Sequence, residues 1–343
     1  MKSLYFKTVQ DVVNEIKNNP TLGYVFHVPI SIIHELASHT NDNIVLVSTS
    51  GEYSSNGYEN GAISGFSYKK EISEIIEIKN PPVLSKFDLE VGYNKVKNNK
   101  NAFMLLFLDG LSNDEEMVMT TFYFMKDDFK ILGGSSGDNL KFEETVIFIG
   151  KKKVCHVAIY FDMNSKTQLL KENLYVPMSD KILITDADPI NRIVKKINNQ
   201  PAATEYSRLL GISESDLPNH FMNNPLGKLY QDDILIASPQ KVNPDKSITF
   251  YCQIMPNTFV YLLQPVDPIE KLGETMKRID FRPSFMYVIN CILRSLKFQN
   301  ENRWKQVDSC ILGVCKNTTG FISYGEQFYK HHVNQTMVVL AVE

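Results

Sequence analysis

Two stretches from opposite ends of the chain follow one pattern. From Thr49 the sequence reads TSGEYSSNGYENGAISGF, and from Ser323 it reads SYGEQFYKHHVNQTMVVL. In each, a Thr or Ser, any residue and Gly-Glu are followed by an Asn nine positions after the glycine (Gly51 to Asn60, Gly325 to Asn334), then by a β-rich run. An internal duplication constrains the fold strongly, because each copy must place its strand end, glycine and carboxylate at an equivalent point.

The rest of the chain supplies the material for such a fold. Its 343 residues, 43% hydrophobic, can bury a large core, and the length favours two domains. In the N-terminal half, LGYVFHV, NIVLVSTS and GAISGFSYKK read as strands, with a helix from Ser31 to Ser38. NAFMLLFLDG is a continuous apolar strand, and LSNDEEMVMTTFYF a helix with Ser112 and Glu115 as a capping box. A glycine-rich loop, LGGSSGD, leads to ETVIFIG and KVCHVAIYF, a hairpin turning at Gly150 to Lys153.

PINRIVKKI and AATEYSRLLG read as helices at the start of the second half, and DILIAS, SITFYCQ and NTFVYLLQ as strands. A helix at PIEKLGETMKRI, a strand at SFMYVINC and a helix from Ile292 come next, then strands at SCILGVCK, TTGFISYG and TMVVLAV. Helices and strands mix without a strict βαβ rhythm. The expectation is a mixed α/β protein of α+β character, with two domains, 1–195 and 196–343, built on largely antiparallel sheets flanked by helices.

Charge and cysteine usage exclude several function classes. A net charge of −3 gives no general attraction to nucleic acid or anionic lipid. No run of about 18 uncharged apolar residues offers a membrane span. The five scattered cysteines, an odd number, fit reduced thiols, so a cytoplasmic protein is expected. Arginine is scarce: Arg192, Arg208, Arg278, Arg282, Arg294 and Arg303 are the only six, so each is a candidate for a specific task.

The motifs point to binding. LGGSSGD lacks the Gly-Lys-Ser/Thr of a phosphate loop, which leaves Gly134, Ser135, Ser136 and Asp138 as a tight turn or as a ligand-lining loop. Cys310 and Cys315, five apart on one expected strand, face opposite ways and share no metal, and the neighbours Cys155 and His156 oppose each other likewise. No metal site is expected. Cys291 ends a strand where a helix begins, with Arg294 one turn on; it is either a small buried residue or an activated thiol, the latter giving a Cys291-dependent hydrolase or transferase. Gly51 and Gly325 let a partner approach, and the carboxylates after them, Glu52 and Glu326, can accept from an ammonium. Together with Ser50, Tyr324, Arg294 and the neutral Asn334, Gln335 and Thr336, they would line one cleft suited to a zwitterion.

STSGE, FLDGLSND, LGGSSGD, INNQPAATEYSRLLG, NNPLGK, INCILR, GFISYGE and NQTM, in this order, resemble the FIST family (F-box and intracellular signal transduction), both N- and C-terminal domains included. The resemblance covers roughly Leu22 to Val342. It departs from the family at Asn199-Gln200-Pro201, where members carry a glycine before a Lys-Pro-Ala-like step, and at Val333, where they often carry a histidine. The resemblance implies a non-enzymatic sensory protein that binds a small polar metabolite such as an amino acid. No output segment is fused, so it would signal to a separate protein such as a histidine kinase or a cyclic-di-GMP enzyme. No cofactor is expected on this reading. It also implies an alternative, a haem-binding nitric-oxide sensor, for which His331 and His332 are the candidate ligands.

Overall fold

The computed structural model describes residues 1–230 and 233–343, of which 26% are helical and 40% are in strands, so sheets carry the architecture. The chain forms two compact units. The larger comprises Met1–Glu172, Leu272–His332 and Met337–Glu343, and the smaller Asn173–Lys271 with Val333–Thr336.

The larger unit contains three six-stranded sheets with one strand order. In the first, the order is Lys2–Phe6, Ile63–Lys69, Leu22–Pro29, Ile44–Thr49, Ile147–Ile149 and Lys152–Val154. The second runs Ser73–Ile78, His156–Phe161, Phe103–Leu108, Lys130–Ser135, Glu326–Phe328 and His331–Val333. The third runs Thr167–Asn173, Thr336–Val342, Phe285–Cys291, Thr318–Ser323, Glu52–Ser54 and Gly57–Glu59. Each has one parallel pair at its centre, joined by a helical crossover, and an antiparallel strand beside the first member of that pair.

The last two strands of every sheet are a hairpin from a different repeat. The first repeat's hairpin adds to the third (Phe321 opposite Glu52), the third's to the second (Gly134 opposite Glu326), and the second's to the first (Val47 opposite Ile147). The exchange is cyclic. The duplication legible in the sequence is therefore a triplication, and no repeat completes its own sheet.

Alternate residues on each sheet converge on one core: Val45, Val47 and Phe66 from the first, Leu105, Phe107 and Ile159 from the second, and Tyr287, Ile289 and Leu340 from the third. The opposite faces are covered by helices, as where Val12, Ile33 and Leu36 meet Tyr24 and Phe26. Burial on both faces accounts for the unbroken apolar run at Phe103–Leu108. Among the inner-face residues, His27 is fully buried: its Nε2 lies 2.6 Å from the Tyr287 hydroxyl, and its ring stacks on Phe321 at 5.0 Å. Burial pushes its pKa down to about 3, so it is neutral.

The smaller unit is an antiparallel sheet ordered Asp233–Ala237, Leu226–Tyr230, Thr258–Pro265, Ile182–Asp188, Ile193–Ile197, Ile248–Phe250 and Pro239–Val242. Helix Ala202–Leu210 packs Ala202, Ala203 and Tyr206 onto it. That helix ends at Gly211, in the left-handed region at φ 71°, where an added β-carbon would meet nothing within 4 Å. Gly211→Ala tests the backbone term alone: it should cost about 1 kcal/mol in urea denaturation, and a cost near zero would show that the cap relaxes without strain.

Four expectations are corrected. PINRIVKKI contains a strand, Ile193–Ile197, because a register shift in the ladder with Ile182–Asp188 lets Val194 and Ile197, three apart, both be buried. SCILGVCK lies in and just after helix Trp304–Val314, whose Trp304, Val307 and Ile311 follow helical spacing, so the argument from strand parity for Cys310 and Cys315 lapses. LGG of LGGSSGD is strand, and the loop begins after Ser135. The capping box is absent: helix Glu115–Thr120 starts after Asp114, and the Ser112 hydroxyl donates to the Asp109 carbonyl at 2.9 Å.

Candidate functional site

The second strand of each parallel pair ends on a hydroxyl residue: Thr49, Ser135 and Ser323. Each opens the same four-residue tip, Thr49-Ser50-Gly51-Glu52, Ser135-Ser136-Gly137-Asp138 and Ser323-Tyr324-Gly325-Glu326. In the first and third repeats the carboxylate begins the next strand directly. In the second, a loop intervenes before Ile147–Ile149.

These tips are bonded to one another around the ring. The Ser50 N–H donates to the Ile322 carbonyl (3.1 Å) and the Ile322 N–H to Gly51 (2.8 Å). The Ser135 N–H donates to the Gly325 carbonyl (2.8 Å) and the Tyr324 N–H to Ser135 (3.0 Å), while the Gly137 N–H closes on the Ser48 carbonyl (2.9 Å). Glycine is required at Gly137, where a β-carbon would lie 2.3 Å from Ser50 Oγ. It is also required at Gly51, whose φ of 133° would place one 2.7 Å from the Tyr58 ring.

A strained loop covers the second tip. The Asp138 carboxylate accepts the N–H groups of Phe142 (3.0 Å), Glu143 (2.8 Å) and Glu144 (3.1 Å) and the Tyr324 hydroxyl. Burial alone would raise the Asp138 pKa, but these four donors hold it below its ordinary value. Burial and Asp138 together push Tyr324 up to about 12. The Asn139 N–H donates to Ser50 Oγ (3.0 Å) and the Leu140 N–H to the Tyr324 hydroxyl (2.6 Å). Leu140 and Phe142 adopt φ of 63° and 54°, a region costly for such side chains, and the Phe142 ring stacks on Tyr324 at 5.3 Å.

The other two carboxylates are held by their own tips. Glu52 accepts from the Thr49 hydroxyl and the Gly61 N–H (3.0 Å); burial outweighs these bonds and pushes its pKa up to about 7. Glu326 accepts from the Ser323 hydroxyl at 2.6 Å. Cys291 is buried at the start of helix Ile292–Asn300, and Arg294, fully buried, pairs with Glu172, with its Nε donating to Asn290 Oδ1 at 2.8 Å. The Asn290 carbonyl accepts from Ser323 Oγ at 3.5 Å, so a polar chain links Glu172 and Arg294 to the third tip. Beside Gly134, Ser135 Oγ bonds Glu115 (3.2 Å) and Gln327 (3.3 Å).

Asn334, Gln335 and Thr336 belong to the smaller unit, where Asn334 Oδ1 accepts the Ser238 N–H (3.4 Å), Gln335 bonds the Ser238 hydroxyl (3.0 Å) and Tyr175, and Thr336 bonds the Asn334 carbonyl (2.8 Å). His332 is buried, its Nδ1 3.2 Å from Gln327 Nε2, and His331 is half-buried.

Sequence reasoning missed Asp138 as the third copy of the motif. The signal was present in Ser-Ser-Gly-Asp, but the position nine after Gly137 is Val146 rather than asparagine. It also passed over Glu172 and Asn290. Cys155 and His156 depart from the expected opposition: the chain bends at Cys155, and its Sγ lies 3.3 Å from His156 Nε2, with Asp114 completing a three-donor group within 4.8 Å. The Asp109 N–H donates to His156 Nδ1 (3.1 Å), which leaves the ring proton on Nε2, the nitrogen that faces the other two donors. Among the described residues, no helix is long and apolar enough to cross a membrane.

No curated protein sequence matches the chain. Residues 21–200 match the FIST N domain and residues 202–329 the FIST C domain. The junction between the two matches falls just before helix Ala202–Leu210, inside the smaller compact unit. With both domains present in order over residues 21–329, the chain belongs to the FIST family of sensory domains.

Proposed function

We propose that the protein is a non-catalytic sensor that binds a small polar metabolite carrying an ammonium group, such as an amino acid, at the ring of tips, and signals to a separate protein such as a histidine kinase or cyclic-di-GMP enzyme. The observation that carries this reading is the Asp138 carboxylate, ionised, buried and held by a loop in a strained conformation. A ligand ammonium that took over Asp138 would free the N–H groups of Phe142, Glu143 and Glu144 and relieve the strain at Leu140 and Phe142. Occupancy would then be converted into a different loop conformation, one that favours binding because its contacts differ between the two states. Ser50, Ser136 and Tyr324 supply neutral hydrogen-bonding groups at the same ring.

A thermal-shift screen of amino acids and related amines tests this. A ligand at about one hundred times its dissociation constant adds about 2.7 kcal/mol and raises the melting temperature by several degrees. Asp138→Asn should weaken that response at least about tenfold, since the ammonium loses its counter-charge. No shift across the panel at concentrations well above plausible dissociation constants would defeat the proposal. A Soret band in protein expressed with haem supply would favour the haem reading instead.

A further inference from the structure

The larger unit holds a second feature, at the far end of the strand that leads to the second tip. Strand Lys130–Ser135 carries the tip at Ser135, whereas Lys130, its first residue, lies opposite Phe103 at the start of the neighbouring parallel strand. There a cavity of about 320 Å³ is lined by Lys97, Lys100, Lys126 and Lys130, with Asp128 as its one carboxylate and Tyr93 and Phe129 among its walls. Four ammonium groups against one carboxylate is a marked local excess in a chain whose net charge is −3.

The surrounding bonds preserve that excess. Asp127, the other acid of the Lys126–Lys130 segment, is turned to Lys330, whose Nζ it meets at 2.7 Å. Lys130 donates to the Lys100 carbonyl and Lys97 to Asn94 Oδ1 (2.7 Å), both neutral acceptors. Burial lowers the pKa of Lys130, and Asp128 opposes that shift. The frame is fixed: the Lys126 N–H donates to the Tyr93 hydroxyl (3.0 Å), Tyr93 and Phe129 pack edge to face at 5.0 Å, and Asn99 bonds Asp162 (2.6 Å) and the Met163 carbonyl (2.9 Å). These bonds hold the walls of the cavity, and an anion bound among the lysines would offset their like charge.

We propose that this cavity binds a small phosphorylated molecule bearing two or more negative charges. Lysines act as point charges that suit a phosphate group, and a single carboxylate would leave the cavity positive. The volume is at the lower end for small-molecule sites, which sets the ligand at about the size of a phosphorylated sugar or smaller.

Isothermal titration of the full chain with pyrophosphate, at low and at raised salt, tests the assignment. Binding is expected, weaker in high salt. In Lys100→Ala/Lys126→Ala, two exposed positions, it should fall at least about tenfold, and Asp128→Asn should strengthen it severalfold. The control Lys152→Ala/Lys153→Ala removes the same charge elsewhere and should bind as the parent does. The proposal is overturned if low-millimolar pyrophosphate gives no heat, if the control loses binding equally, or if the protein responds only to phosphatidylcholine vesicles containing phosphatidic acid and not to soluble pyrophosphate.

Discussion

Arg294→Ala should lower the unfolding free energy by about 3–5 kcal/mol, the cost of breaking a buried ion pair from one side. The guanidinium has no solvent access, pairs with an equally buried Glu172, donates to Asn290 and lies 5.0 Å from the centre of the Phe298 ring. Removing it takes the counter-charge away from the buried Glu172 carboxylate, and Glu172→Ala takes it away from the buried guanidinium. Replacing both partners with apolar residues of similar volume, Arg294→Met with Glu172→Leu, should recover most of the loss, because neither charge is then left unpaired. Urea denaturation of the two alanine variants and of the apolar double variant separates the terms. Single costs below about 1 kcal/mol would mean that water reaches the pair.

The second large effect is a pH dependence written into Glu52. Its pKa in the folded protein is about 7 against an ordinary 4.5, because burial disfavours the carboxylate more than the Thr49 and Gly61 bonds favour it. Between those two values the folded protein keeps a proton that the unfolded chain has released, so folding takes up a proton. The contribution is fully present below pH 4.5 and is lost as pH rises through 7, a change of about 3 kcal/mol. Glu52→Gln mimics the protonated carboxyl at every pH. Stability curves of parent and variant should nearly coincide at pH 4 and separate by about 3 kcal/mol by pH 8, with the variant the more stable. Taking the difference between the curves removes groups such as His27, whose depressed pKa works in the opposite sense. Parallel curves across the range would show that folding leaves the Glu52 pKa unchanged.

Much of the larger unit could be read from residue order because its strands are buried on both faces. Runs such as those at Phe103–Leu108 and Phe285–Cys291, six and seven residues long, have the length of strands rather than helices, and glycine at Gly51 marks a backbone that turns. The smaller unit resisted because a register shift gave Ile193–Ile197 a spacing of three between buried residues, the same spacing a helix produces. The tip motif was legible twice and hidden once, since in the second repeat a loop follows Asp138 and the position nine after Gly137 is Val146 rather than the asparagine that marked the other copies. Glu172 could not be found at all. It is the penultimate residue of an edge strand, and only the pairing of Thr167–Asn173 beside Thr336–Val342 brings it to Arg294.

The cyclic loan of hairpins bears on how the polypeptide matures during synthesis. When the ribosome has made everything up to the smaller unit, the second repeat's hairpin already has its host in the first. The hairpin at Glu52–Glu59 has no strand to join, and strand Lys130–Ser135 has an open flank, until Thr318–Ser323 and Glu326–Val333 emerge. Two adhesive edges thus wait for residues 318–333, which seal both.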